Sequence, residues 1–356
     1  MAEASRGERW PTSGEKDALD SCIQCRACEP ACPSGVRYGR MIESARHQMV
    51  DHDGARGRRL VLSLLRYRRV LALSTPLVRA AMSLRLVPRR LRTAGVPWRS
   101  GPRVRSTTTG QPDVWLFTGC VMDAWQRDVH RDAARLIGST GATLRTPGRG
   151  GECCGALHLH SGLHDVARAW AARVMASMIG DSPVLVDSAG CGAALKEYGT
   201  LLDTPEARVF SARVFDIHEW LDERLSATSE PMNEDSDVIV VQDPCHLRHV
   251  QKRSEPVHRL LGRVGTTVSV PDDGLCCGAG GTYSVTHPDL AGALRTAKVD
   301  RILALTRGRG AVVASANPGC SMHLSSDPRL RRAGIEVQHP VRILAARLRI
   351  DDEGNR

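Results

Sequence analysis

The chain has 356 residues, 42% of them hydrophobic and only 4% aromatic, which suits two or three domains with cores of Ala, Val, Leu and Ile. The formal net charge of +10 has a single source, because residues 54–112 hold fourteen arginines and no Asp, Glu or Lys, and the remainder is slightly acidic. Met1–Asp20 carries charges throughout and lacks the apolar run of a secretory signal, so the chain's twelve cysteines do not read as a disulfide framework. The most apolar stretch, Leu60–Val87, is broken by Arg66, Arg68, Arg69, Arg79 and Arg85 and does not read as a bilayer span. The expected location is cytoplasmic, or peripheral at the inner face of a membrane.

Residues 1–53 contain Cys22-x2-Cys25-x2-Cys28-x3-Cys32 followed by Pro33, the spacing of a bacterial ferredoxin run. A short turning loop with a thiolate every third residue delivers three ligands to one 4Fe–4S cube. Backbone amides aimed at the sulfurs stabilise the reduced state. A structural zinc site usually draws on two well-separated Cys-x2-Cys pairs, so four cysteines this close favour iron–sulfur. The ligand count is short, however. In the two-run arrangement the fourth cysteine of each run serves the other cluster, and no cysteine lies between Cys32 and Cys120. A partner or a further N-terminal segment is expected to complete the set. A helix is predicted over Val36–Val50. Residues 54–112 read as an arginine-rich helical connector that Pro76, Pro88 and Pro97 divide into short helices.

From Asp113 strand-like and helix-like segments alternate, and the pattern occurs twice. In residues 113–225, the strand Val114–Phe117 leads to Gly119–Cys120 and a helix to Ile137. The strand Ala142–Thr146 precedes Cys153-Cys154-Gly155-Ala156, and a helix over Val166–Ile179 precedes the strand Val184–Asp187, which ends at Gly190–Cys191. In residues 237–350, Val238–Gln242 leads to Pro244–Cys245 and a helix to Leu261. Thr266–Val270 precedes Cys276-Cys277-Gly278-Ala279, and a helix over Asp289–Leu305 precedes Ala311–Ala314, which ends at Gly319–Cys320. The three cysteine positions are offset by 125, 123 and 129 residues between the copies. Polar, acidic Ser226–Asp237 reads as the linker between them. The predicted fold is α/β: a small α-helical ferredoxin-like segment followed by two duplicated α/β lobes.

Each lobe offers one Cys at a strand end, an adjacent Cys–Cys pair and a final Cys at another strand end. Strand C-termini converge on one edge of a parallel sheet, so Cys120, Cys153, Cys154 and Cys191 can meet in a crevice, as can Cys245, Cys276, Cys277 and Cys320. Adjacent side chains in a strand point opposite ways. Gly155 and Gly278, at helix starts, would let both thiols of a pair turn inward with amides facing the cofactor. Buried inert thiols are a reasonable reading of any one position, but a poor one for a four-cysteine pattern that appears twice.

At these motifs the chain resembles the iron–sulfur subunits of glycolate oxidase, within the wider family that carries cysteine-rich CCG domains. That wider family includes lactate-utilisation proteins, the anaerobic glycerol-3-phosphate dehydrogenase C subunit and the heterodisulfide reductase B subunit. The resemblance spans about Ala18–Ile350 and is carried by LDSCIQCRACEPACPSGVRY from Leu19 to Tyr38, SAGCGAALKEYG from Ser188 to Gly199, and CCGAGGTYS from Cys276 to Ser284. It implies 4Fe–4S clusters on this chain, FAD only on a flavoprotein partner, and electron transfer from a 2-hydroxy acid, glycolate, to a quinone-type acceptor. Family members carry two ferredoxin runs, and Cys22–Cys32 looks like the second. Heterodisulfide reductase relatives end each lobe with Cys-x2-Cys, where this chain has Ser188 and Asn317, leaving four thiols per lobe.

Weaker signals are His158 and His160 after the first cysteine pair and His246 and His249 after Cys245, which read as cluster-side donors or as capping residues. Gly278-Ala-Gly280-Gly281 lacks the spacing of a nucleotide fingerprint. No residue reads as catalytic, so the substrate is expected to be oxidised on another subunit. The arginine-rich region fits an anionic membrane face, an acidic partner, nucleic acid or a merely solvated surface. Without a helix-turn-helix signal, nucleic acid is set aside. The alternatives are a lactate-utilisation iron–sulfur protein and a heterodisulfide-reductase-like redox enzyme.

Overall fold

The computed structural model describes residues 12–53, 62, 68–84, 86–87, 96–98, 100–148, 150–225, 237–271, 275–306 and 309–350. Two four-stranded sheets dominate it. The first has strands β1 (Val114–Phe117), β2 (Leu144–Arg145), β3 (Val184–Val186) and β4 (Val214–Asp216) in the order β2-β1-β3-β4. The second has β5 (Val238–Val241), β6 (Thr267–Ser269), β7 (Ala311–Ala314) and β8 (Glu336–Gln338) in the order β6-β5-β7-β8. Every pairing is parallel. The central strands are covered on both faces, which is why Val114–Phe117 reads as an unbroken apolar run.

From β1 the chain moves outward to β2 and then returns across the sheet to β3. Connections therefore diverge between β1 and β3, and in the second sheet between β5 and β7. Such a switch point opens a crevice beyond the strand C-termini. The sequence predicts three strands per copy and misses β4 and β8. Each is three residues long, too short for periodicity to mark, and forms by pairing with β3 or β7.

The lobes are not independently packed. The helix Pro340–Arg347, at the end of lobe two, lies on Arg127–Gly138 of lobe one, and Ile217–Arg224, at the end of lobe one, lies on Glu255–Gly262 of lobe two. One core runs through both, with Leu136, Ile137 and Leu221 joining Leu260, Leu261 and Leu344. Asp222 anchors one crossing, 2.7 Å from Arg259 and 2.6 Å from Arg263.

Helix boundaries follow packing more than local signals. Tyr38–Asp53 begins two residues later than expected. Arg68–Ser83 runs straight through Pro76, where the sequence predicts a break. A proline removes one helical hydrogen bond. Here tertiary contact holds the helix together, since Thr75 is fully buried and accepts a hydrogen bond from the Trp125 indole N–H at 3.2 Å. The break expected at Pro88 and nearly all of the Ser226–Asp237 linker lie outside the described residues. No helix among the described residues is long and apolar enough to cross a membrane.

A buried polar pair sits under the switch point of the first sheet. His130 Nδ1 lies 2.6 Å from Asp187 Oδ2, with both side chains excluded from solvent, and His339 Nε2 donates to the Asp187 carbonyl at 2.8 Å. Removing one member of a buried charged pair strands the other. His130→Ala should therefore cost about 3–5 kcal/mol, read as the shift in urea unfolding. A loss below about 1 kcal/mol would show that Asp187 finds compensation elsewhere.

Candidate metal centres

The ferredoxin-type loop turns through Gln24 (φ 58°) and Arg26 (φ 59°), two non-glycine residues in the left-handed region, a strain that tertiary contacts must hold. Cys22, Cys25 and Cys28 lie near enough for their charges to act on one another. Burial pushes the Cys25 thiol up, the Ala27 amide pulls it back, and Cys245 and Cys22 push it further up. Burial and then Cys25 push Cys28 up. Cys32 stands apart, facing the amides of Val36, Ser34 and Gly35, which hold its thiol below the ordinary range. Cys32 thus sits in a different local environment from Cys25 and Cys28.

Three contacts seat this loop across both lobes. The Arg26 guanidinium donates to both oxygens of Glu197 in lobe one, at 2.7 and 2.9 Å. The Tyr283 hydroxyl in lobe two donates to the Ser21 carbonyl at 3.0 Å. Ile23 packs so closely on Gly280 that a Cβ there would lie 2.5 Å from it.

In lobe one, Cys120 caps the helix Val121–Trp125 just beyond β1, and the Cys153–Cys154 pair lies in the loop after β2. Cys191 belongs to the first turn of the helix Ala189–Lys196, not to the end of β3 as the sequence suggests. Lobe two repeats the plan. Cys245 precedes a π-helix, His246–Gln251, Cys276–Cys277 follows β6, and Cys320 sits in the first turn of Pro318–Ser325. Both corrections share a cause: Ser188 and Asn317, a few residues beyond the strand ends, are the N-caps of new helices, so each cysteine three positions on falls in a helical first turn.

All the described cysteines are free thiols, and within each lobe the four form a chain of neighbouring sulfurs. Cys154 and Cys191 sulfurs are 3.3 Å apart, and Cys277 and Cys320 sulfurs 2.9 Å. The other two thiols, Cys120 and Cys153, also bond to each other, as do Cys245 and Cys276. Bonded to Cys153, the Cys154 thiol is pushed up to about 12. Its partner Cys191, and Cys245 beside Cys276, are raised well above the ordinary thiol range. Two amides oppose this: Gly155 donates to the Cys153 sulfur and Gly278 to the Cys276 sulfur, each at 3.4 Å. Gly155 opens a helix as expected. Gly278 does not, because Gly280 and Gly281 continue in the left-handed region and the next helix begins at Tyr283.

The two crevices open on one cavity of about 770 Å³ bordered by all eight lobe thiols. His160 and His246 border it too, their rings 5.7 Å apart. Burial pulls His246 down to about 3, so the ring stays neutral. Its Nδ1 lies 3.4 Å from the Cys245 sulfur. His158 is buried but does not line the cavity, and neither does His249. The sequence gives no warning of Asp187 as a cavity residue, since it reads only as the end of a strand.

The donor set fits a cluster. Among the described residues no three Cys, His, Asp or Glu side chains group at the spacing of a single ion. Paired thiols beside a large cavity suit a polynuclear core, which separates its ligands. A buried, raised thiol ionises when a metal takes the place of its proton. Lys196-Glu197-Tyr198, within the Ser188–Gly199 stretch, ties the lobe to its surroundings. Lys196 pairs with Glu219, Glu197 holds Arg26, and the buried Tyr198 hydroxyl donates to the Cys154 carbonyl at 2.8 Å.

The two CCG glycines are unequal in room. A Cβ on Gly278 would fall 2.4 Å from the Ala291 carbonyl, and on Gly155 3.2 Å from that of Ala167, with φ of +90° and +78°. Gly278→Ala should therefore lower the melting temperature and lobe-two iron content more than Gly155→Ala does for lobe one, each costing at least about 1–3 kcal/mol. Equal, negligible losses would show that the loops relax freely.

Residues 114–196 and 239–325 each match the family described as a cysteine-rich domain, CCG. The glycolate oxidase iron–sulfur subunit of Escherichia coli K12 is 32% identical over 338 residues, covering 88% of this chain and 79% of that protein. A probable glycolate oxidase iron–sulfur subunit of Bacillus subtilis 168 is 28% identical, covering 91% and 80%. The lactate utilization protein A of Macrococcus caseolyticus is 26% identical, covering 65% and 95%. With a cysteine-rich pair of lobes and this extent of identity, the chain belongs to the family of glycolate oxidase iron–sulfur subunits.

Proposed function

We propose that this chain is the iron–sulfur electron-transfer subunit of a flavin-dependent 2-hydroxy-acid dehydrogenase complex. A partner flavoprotein carrying FAD oxidises glycolate to glyoxylate, and a quinone-type acceptor receives the electrons. The observation that carries this reading is continuity: Ile23 and Cys25 of the ferredoxin-type loop pack, with Cys245, against the lobe-two core that contains Cys276, Cys277 and Cys320, and all eight lobe thiols border one cavity. The 4Fe–4S clusters, when bound, take up and release single electrons, which lets a two-electron oxidation be handed on in steps.

This chain's residues do the holding and insulating. Cys22, Cys25 and Cys28 hold one cube whose fourth ligand comes from beyond this run, and Cys32 serves a neighbouring cube. Cys120, Cys153, Cys154 and Cys191 hold the lobe-one centre, and Cys245, Cys276, Cys277 and Cys320 the lobe-two centre. The Gly155 and Gly278 amides stabilise negative charge on the sulfurs, and the buried walls keep water away from them. Arg26 clamps the loop to lobe one through Glu197. The Asn317 side-chain amide donates to the Cys320 sulfur at 3.5 Å, and Ser188 bonds to Cys191. Hydrogen-bond donors thus occupy the positions where a fifth thiolate would stand, which favours electron transfer over thiol–disulfide chemistry.

Anaerobically purified protein should contain iron and acid-labile sulfide. Cys153→Ser with Cys154→Ser should remove the lobe-one share and leave lobe two loaded, because the thiols pair within lobes. Full iron retention in that double variant would refute the assignment. Arg26→Ala should keep lobe iron unchanged yet slow electron delivery from the flavoprotein to a quinone analogue by at least about tenfold, since a misplaced loop breaks the path. Unchanged turnover would show that electrons enter elsewhere.

A further inference from the structure

The helix Arg68–Ser83 presents its apolar stripe to solvent, the reverse of an ordinary surface helix. Leu73, Leu77 and Leu84 are 79%, 75% and 70% exposed. At 3.6 residues per turn their spacing puts them on one face, with exposed Pro76 and half-buried Ala80 between them. The opposite face carries Thr75, fully buried beneath Trp125. The stripe continues past the helix end, where the Leu86 N–H returns to the Ala81 carbonyl at 3.0 Å and Leu86 itself is 75% exposed. Trp98, 57% exposed, lies alongside with the Arg79 guanidinium 5.7 Å from its ring centre.

We propose that this face lies flat in the headgroup region of an anionic lipid bilayer, with the leucines and Trp98 in contact with acyl chains. Exposed leucines on one side of a helix carried by an arginine-rich segment, with exposed Trp98 against Arg79 at the flank, are what an interfacial helix needs. Charge selects the occupant. The segment that carries the helix, residues 54–112, has fourteen arginines and no acidic residue, while the rest of the chain has a net negative charge. A bilayer rich in anionic lipid supplies the complementary surface. The helix is 16 residues long and broken in its apolar pattern, so it lies on the membrane and does not cross it. This inference is independent of the electron path proposed above.

The test uses the full-length, cluster-loaded chain and sedimentation with vesicles of phosphatidylglycerol or of phosphatidylcholine alone. Binding to the anionic vesicles is expected at low salt. It should fall steeply as the screening length drops from about 30 Å at 0.01 M to about 3 Å at 1 M salt. Leu73→Glu with Leu77→Glu should weaken it at least about tenfold while leaving circular dichroism and iron content unchanged. Hydrogen–deuterium exchange on the unmodified chain gives a second measurement, with amides 72–84 slowing when anionic vesicles are added. The proposal is overturned if the chain ignores anionic vesicles at low salt, or if the leucine substitutions leave binding unchanged. It is also overturned if protection appears only on self-association, or only when a flavoprotein partner binds, which would assign the face to protein.

Discussion

Sulfur packed against sulfur in a desolvated crevice resists ionisation, and the arrangement of both lobes follows from that resistance. Cys154 and Cys191, and Cys277 and Cys320, sit in van der Waals reach of each other with little water near them. Two negative charges at that separation would repel strongly in a low dielectric. The amides of Gly155 and Gly278 soften this but do not reverse it, because one neutral donor offsets little of the cost of a buried charge. A positively charged metal core does reverse it. Buried thiols raised in this way, such as Cys154, Cys191 and Cys245, suit metal binding better than nucleophilic chemistry.

Parallel topology makes that receptor possible. Because β1 and β3 diverge at the switch point, loops from three adjacent strands deliver their thiols to a single edge, and β5 and β7 repeat the plan. The lobes then face each other. Gln126 donates to Ser321 at 3.2 Å and Gln251 to the Ala189 carbonyl at 2.9 Å, so glutamines at equivalent positions each reach the helix that carries the other lobe's last cysteine. The symmetry breaks where it must. After Cys154-Gly155 the chain has Ala156-Leu157. After Cys277-Gly278 it has Ala279-Gly280-Gly281, and those two glycines leave the space that Ile23 and Leu157 fill. One lobe provides the clearance and the other the Glu197 clamp, so the ferredoxin-type loop can bridge them.

The shared interior has a consequence for stability. Each lobe lends a terminal helix to the other, so the core that contains Leu136, Leu221, Leu260 and Leu344 is complete only when both are present. Cutting the chain between the copies would expose that surface on each. The two sets of thiols are thereby held in place across one cavity by hydrophobic burial, the largest favourable force available to a fold with so few aromatic side chains.

Much of this was legible in the sequence because it depends on covalent spacing. Four cysteines within eleven residues, and the same cysteine pattern repeated at nearly constant offset, signal iron–sulfur character whatever the packing. Apolar runs such as Val114–Phe117 and Val238–Val241 announce buried parallel strands, since such strands are covered on both faces. What tertiary structure decided are matters of long-range proximity. Short β4 and β8 exist only through pairing, and Arg68–Ser83 survives Pro76 because Thr75 is buried under Trp125. The two crevices merge into one cavity because helices exchange between lobes. The meeting of Arg26 with Glu197, 171 residues apart, brings the first motif to the duplicated ones. No local pattern encodes such a meeting, because its energy lies in surfaces that come together only in the folded chain.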